Sequence, residues 1–79
     1  MKKTYFFATY QLNSNNADSA SIIKANSKSQ IKRANMHLFE HYSKYSTYKE
    51  AFNFLMLNVV SLGSAISYKD IKIYDVTNF

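Results

Sequence analysis

The middle of this chain reads TYKEAFNFLMLNVVSLG over residues 47–63. Thr47 and Glu50 have the spacing of a capping box, which opens a helix, and Gly63, the single glycine of the chain, is a natural left-handed helix terminator. These signals predict a helix over residues 51–62. Its apolar side chains surround the axis instead of marking one stripe, a pattern typical of a helix that is covered on several sides. We therefore expect this helix to form the core, or a core shared with a second copy of the chain.

Residues before this helix predict a hairpin. From Thr4 to Leu12 the side chains alternate between two faces, as in a strand rich in aromatic residues. Residues 13–18 are a polar run of turn-forming types, and residues 19–25 read as a second strand with Ile22 and Ile23 at its centre. An alternative begins a helix at Asp18 and runs it through Ala20 and Ile23, which places Ser27 in the middle of that helix.

A first helix is predicted to begin at a second capping box, Ser27 to Gln30. Its apolar stripe is spaced by three and four residues and consists of Ile31, Ala34, Leu38 and Tyr42. After the second helix, residues 67–77 alternate as a strand. The expected fold is therefore α+β, with a three-stranded antiparallel sheet packed on two helices in the order β-β-α-α-β. The third strand could pair with either member of the hairpin.

Length and composition favour one folded domain over residues 1–79. The chain is 47% apolar and has no cysteine, which excludes disulfides and thiolate metal sites. No run approaches the roughly 20 apolar residues that span a bilayer, and the N-terminus lacks the features of a signal peptide. Asn, Lys, Ile, Tyr and Phe, whose codons are rich in A and T, are frequent. We expect a protein of the bacterial cytoplasm, encoded by a bacterial or phage genome, without membrane contact.

Net charge is concentrated in the first half of the chain. Residues 1–39 carry six basic groups and one acid, whereas residues 40–79 carry four of each. Four of the cations follow one another across the second strand and the first helix: Lys24, Lys28, Lys32 and Arg33. Such a group attracts phosphate or another polyanion, and the alternative is a solvated face. Carboxylates from the second half that neutralised these cations would contradict the binding hypothesis.

Aromatic residues supply further candidates. A tyrosine recurs at every third position across the junction between the helices: Tyr42, Tyr45 and Tyr48. Tyrosine is enriched at interfaces, so these rings are candidates for a recognition patch, and the alternative is that they cover the helix ends. Three more rings lie on predicted strand faces: Tyr5, Phe7 and Tyr74. They would offer base-stacking surfaces, with core packing as the alternative.

Enzyme chemistry finds little support in these residues. His37 to His41 match the H-x-x-E-H pattern of the inverted zinc peptidases, but the match covers five residues and supplies no third ligand. Two histidines on the flank of an amphipathic helix are the simpler interpretation. No serine has a recognisable base and oxyanion-hole glycine around it, and phosphate-cradling loops need several glycines. We expect no enzyme activity, no cofactor and no metal site.

In size, lack of cysteine and layout, the chain resembles the small single-domain inhibitors of phages and mobile elements, the anti-CRISPR proteins among them. That resemblance implies a non-enzymatic protein that occupies a surface of a larger host complex. Many members are acidic and imitate nucleic acid, whereas this chain carries a net charge of +5, which favours an acidic protein face or a nucleic-acid-bearing complex as the partner.

Three functional hypotheses follow. The first is a binding protein that inhibits a host protein or nucleoprotein complex by direct surface contact. The second is a small basic module or regulator that contacts nucleic acid itself. The third is a homodimer joined through the helix of residues 47–62, because that helix carries more apolar surface than one small domain can cover.

Overall fold

The computed structural model describes residues 3–11, 19–61 and 68–79. In chain order the elements are β1 (Tyr5–Gln11), β2 (Ser19–Ala25), α1 (Lys28–Arg33), β3 (His41–Tyr45), α2 (Tyr48–Leu55) with a π-helical continuation (Met56–Val60), a short 3-10 turn (Tyr68–Asp70) and β4 (Lys72–Asp75). The four strands form one mixed sheet in the order β3-β1-β2-β4. β1 runs antiparallel to β2 and to β3, and β2 runs parallel to β4. The α+β class is confirmed, whereas the prediction of three antiparallel strands in the order β-β-α-α-β is wrong.

Both faces of the sheet are covered by helices. Side chains of a strand alternate between the two faces, so each strand contributes to the packing on both. On one face, Ala8 and Ile22 pack against α2 and its continuation. On the other face, Phe7 and Ile23 pack against Ile31 of α1. The predicted pairing of the first two strands is confirmed, and β2 excludes the alternative helix over residues 19–25. The predicted turn over residues 13–18 lies outside the described residues.

The first helix is much shorter than predicted. Ser27 caps it as expected, since its hydroxyl accepts from the Gln30 backbone N–H at 3.3 Å. α1 then ends at Arg33, because Asn35 takes a left-handed conformation with φ of 59°. The Asn35 N–H donates to the Lys32 carbonyl and the Met36 N–H donates to the Ile31 carbonyl, both at 3.1 Å, which is the bond pattern of a Schellman motif.

Residues assigned to the end of that helix instead form β3. Tyr42 lies opposite Thr9 in the β1–β3 register, so it does not continue the helical stripe of Ile31 and Ala34. Thr9, fully buried, fixes the incoming chain. Its hydroxyl donates to the His41 carbonyl at 3.2 Å and accepts from the Phe39 N–H at 2.7 Å.

The second helix begins where its capping box predicts. The Thr47 hydroxyl accepts from the Glu50 N–H at 3.3 Å and donates to the Glu50 carboxylate at 2.9 Å. The helix buries one strip, formed by Ala51, Leu55 and Val59, whereas Leu57 is 69% exposed. The described residues therefore do not cover this helix on several sides, and the homodimer through residues 47–62 stays a prediction. The predicted stop at Gly63 lies outside the described residues.

The last strand is shorter than the predicted range and pairs in parallel with β2. Parallel pairing requires a long crossover, and the two helices and β3 supply it. The chain after β4 turns back onto α1, where Val76 is buried against Ile31 and its neighbours. Among the described residues, no helix is long and apolar enough to cross a membrane.

Candidate anion-binding surface

Two adjoining depressions of about 380 Å³ each lie on the side of the sheet that carries α1. They share Tyr5, Asn26 and Ser27. Each adds two basic residues from different parts of the chain. Together these charged and aromatic residues form what we call the basic-aromatic surface: Lys3, Tyr5, Lys28, Arg33, Tyr42 and Lys44.

A lysine ammonium group lies next to each of the two tyrosine rings of this surface. Lys28 Nζ lies 4.4 Å from the centroid of the Tyr42 ring and also hydrogen bonds to the Tyr42 hydroxyl. Lys44 Nζ lies 4.4 Å from the centroid of the Tyr5 ring, and Lys3 Nζ lies 5.6 Å from it. These distances are typical of cation–π contacts. The positive charges are thus held against aromatic rings that remain next to solvent.

The register of the sheet explains why these groups meet. Tyr42 and Lys44 are two residues apart on β3, so both project from the same face. Lys44 lies opposite Phe7 of β1, two residues from Tyr5. α1 crosses the same face and brings Lys28 to Tyr42.

A buried glutamine holds α1 in this place. Gln30 is 2% exposed, and its carboxamide oxygen accepts from the Asn26 N–H at 2.6 Å. Its carboxamide nitrogen donates to the carbonyls of Thr77 and Phe79 at 3.1 and 3.2 Å. The bond to Asn26 replaces the bond to the cap residue that a capping box predicts. Gln30 therefore links the floor of the surface, α1 and the chain after β4.

The electrostatic character of the surface follows from its composition. In the described part of the chain, no aspartate or glutamate lines either depression, against four basic side chains. Arg33 Nη2 donates to the backbone oxygen of Phe79 at 3.1 Å, which orients its guanidinium. Four cations without a lining carboxylate produce a field that attracts anions.

The seven residues predicted from the sequence are divided between the two faces. Lys28, Arg33 and Tyr42 belong to the basic-aromatic surface. Lys32 is exposed one helical turn after Lys28 and lines neither depression. Lys24 lies on the face of α2, because it pairs with Phe6 in the β1–β2 register. The predicted group of four cations is therefore not one patch.

Lys24 is also neutralised by a carboxylate from the second half of the chain. Its Nζ lies 4.0 Å from Asp75 Oδ2. Hydrogen bonds from the Thr77 hydroxyl and the Thr77 N–H hold the pKa of Asp75 below its usual value, with a further contribution from the Lys24 charge. This ion pair contradicts binding by Lys24, and the described ion pairs include none of the other three predicted cations.

Tyr45 and Tyr48 pack around α2 on the opposite face. The Tyr45 ring lies 5.8 Å from that of Phe54, and the Tyr48 ring stacks on Phe52 at 5.9 Å. A strand and a helix follow each other over residues 41–55, so a spacing of three residues does not keep the rings on one side. Tyr45 is partly buried against the core that includes α2, whereas Tyr48 is 43% exposed and lies outside the basic-aromatic surface.

The sequence patterns did not identify Lys3 and Lys44 as members of the surface, and they left Tyr5 open between base stacking and core packing. The alternation of residues 41–45 is the sequence signal that would have placed Lys44 on a strand. It is overlooked when the same stretch is interpreted as a helix. Of the other rings considered for stacking, Phe7 is buried in the core. Tyr74 is 38% exposed but lines a separate groove on β4.

That separate groove, of about 440 Å³, lies between β4 and the chain that follows α1. His37 and Asp70 line it together with Ser21. The H-x-x-E-H pattern does not place two histidines on one helix, because His37 lies in an irregular segment and His41 begins β3. Within residues 3–11, 19–61 and 68–79, no group of three or more histidine, aspartate and glutamate side chains could hold a metal ion.

Comparisons with protein families, with curated proteins and with solved structures found no match to this chain.

Proposed function

We propose that this chain is a non-enzymatic binding protein that docks through its basic-aromatic surface on an anionic face of a larger nucleoprotein complex. The observation that carries the proposal is the set of four basic side chains that line two adjoining depressions with no carboxylate among the described lining residues. In keeping with the net charge of +5, docking would begin by electrostatic steering. Inhibition of a bacterial host complex by a phage or mobile-element protein is the biological setting that we propose for it.

Charge reversal at the centre of the surface tests this proposal. The variant Lys28→Glu/Lys44→Glu changes two cations that lie against tyrosine rings, and neither lysine has a carboxylate partner among the described ion pairs. The matched control Lys49→Glu/Lys72→Glu makes the same change in net charge at exposed positions outside the surface.

The measurement is affinity capture from bacterial lysate, with and without nuclease, followed by mass spectrometry. We expect the unmodified chain and the control to retain the same stoichiometric complex, and the reversed variant to lose it. The proposal is wrong if the reversed variant captures that complex equally well, or if the unmodified chain captures none. Nuclease sensitivity shows whether nucleic acid is part of the contact.

A further inference from the structure

We infer that the ligand held by the basic-aromatic surface is single-stranded nucleic acid, contacted directly. This inference rests on the proposed function and names the part of the nucleoprotein that is bound. An acidic protein face would be complementary to the four cations alone. A nucleic-acid strand is complementary to the cations and to the rings, because it presents phosphates and bases side by side.

The first observation is the pairing of each ring with an ammonium group. Lys44 and Tyr5 form one pair and Lys28 and Tyr42 form another, with 4.4 Å between ammonium and ring centroid in both. Both pairs line one depression, and the other depression, which adjoins it at Tyr5, Asn26 and Ser27, adds Lys3 and Arg33. A strand that crosses both depressions would meet two rings and four positive charges in succession.

The second observation is the accessibility of the rings. Tyr42 is 38% exposed on the edge strand β3, and Tyr5 is half-buried beside it. A duplex keeps its bases stacked inside, so it would use only the charges. An unpaired base can leave its neighbours and stack on a tyrosine while its phosphate takes over the ammonium that lay on that ring.

The chain offers an unusually well-matched control for the role of Tyr42. Tyr74 has the same exposed fraction, 38%, and projects from the same face of the sheet on the opposite edge strand, β4. It lines the separate groove and neither depression of the basic-aromatic surface. Tyr42→Leu and Tyr74→Leu thus remove equally exposed rings from edge strands of one face.

The experiment is fluorescence anisotropy with a labelled oligonucleotide of about 15 nucleotides, within the range of sites covered by small single-strand-binding domains. The same strand annealed to its complement and an oligoglutamate peptide serve as the other two probes. We expect the single strand to bind more tightly than the duplex or the peptide. Tyr42→Leu should weaken the affinity for the single strand roughly five- to a hundredfold, because one base would lose its stacking partner. Tyr42→Phe, which keeps the ring, and Tyr74→Leu should bind nearly as the unmodified chain does.

Three results would overturn the inference: equal affinity for single strand and duplex with no effect of Tyr42→Leu, tighter binding of the peptide than of the strand, or no binding of any oligonucleotide. If charge reversal still abolishes capture of the host complex in those cases, the docking proposal survives and only the strand contact fails. Ring-proton chemical shifts of Tyr5 and Tyr42 in the unmodified chain, followed during titration with the single strand, test the same contact without a variant. Unchanged shifts at saturation would contradict it.

Discussion

Thr9 shows how much of this fold depends on one hydroxyl group. The side chain is fully buried, where an unpaired polar atom is costly, and it serves two backbone groups of the chain that enters β3. The residue type is common in strands, and its alternation identifies only the face on which it lies. Its partners, thirty residues and more along the chain, are a matter of tertiary structure.

Replacing this hydroxyl should loosen the entry into β3. Thr9→Val keeps the shape of the side chain but leaves the Phe39 N–H and the His41 carbonyl without their partner, which should lower the free energy of unfolding by about 1–3 kcal/mol. Hydrogen exchange of the Phe39 amide, measured by NMR, reports the lost bond directly. Thr9→Ser retains the hydroxyl and should retain the protection of that amide. Full protection in the valine variant would show that Thr9 does not hold this segment.

At the scale of elements, the end of α1 decides what the following residues become. The Schellman motif at Asn35 turns the chain before Leu38 and Tyr42 can add to the helix. An asparagine is a recognised alternative to glycine at this position, so the signal was present in the sequence. The apolar spacing of three and four residues outweighed it in the prediction, because that spacing persists by chance after the helix has ended.

Substitutions at Asn35 test this account. Asn35→Gly should melt at the same temperature or higher, since glycine adopts a positive φ without steric cost. Asn35→Val should lower the free energy of unfolding by about 1–2 kcal/mol, because a side chain branched at Cβ clashes in the left-handed region. Thermal unfolding followed by circular dichroism compares the two. A valine variant as stable as the unmodified chain would mean that the positive φ is not required.

Other elements were predictable because their signals are local. The two hydroxyl caps, Ser27 and Thr47, lie at the starts of the helices that they were expected to open. The first strand follows an alternating pattern, and it pairs with the second strand, which was predicted from the turn-forming run before it and from Ile22 and Ile23 at its centre. β3 was missed, since His41–Tyr45 is short and its pattern also fits the tail of a helix. The direction of β4 has no local signal, because it depends on the route of the chain between strands.

On the scale of the whole molecule, one sheet separates two small cores. Ile22 is fully buried against α2 on one face, and Ile31 of α1 is buried on the other. Neither face alone holds much apolar material, so each depends on the sheet that the other also stabilises. This sharing is typical of layered domains and makes cooperative unfolding the expectation.

Matched substitutions on the two faces check that expectation. Ile22→Val and Ile31→Val each remove one buried methylene and should each lower the free energy of unfolding by about 0.5–1.5 kcal/mol. Because the two sites have no neighbour in common in the two cores, the double variant should lose the sum of both within about 0.5 kcal/mol. Urea unfolding followed by circular dichroism and by tyrosine fluorescence should give one coincident transition. Two separate transitions would show that the faces unfold independently.

The candidate surface shows the same division between local and tertiary information. Charge counting identified Lys28 and Arg33, and the tyrosine series identified Tyr42. Charge counting also included Lys24, because a sequence does not show that consecutive cations lie on opposite faces of a sheet. Lys44 joins the surface only through the register of β3 against β1.

The parallel pairing of β2 with β4 has a consequence for the synthesis of the protein on the ribosome. A ribosome delivers the chain from its amino end, so β2 is complete long before residues 72–75 have been synthesised. From the time β2 leaves the ribosome until β4 follows it, the side of β2 that will receive β4 has no partner strand, and an unpaired strand edge can pair with another chain. Delayed release of the carboxyl-terminal residues would therefore lengthen the time in which this edge is open to aggregation.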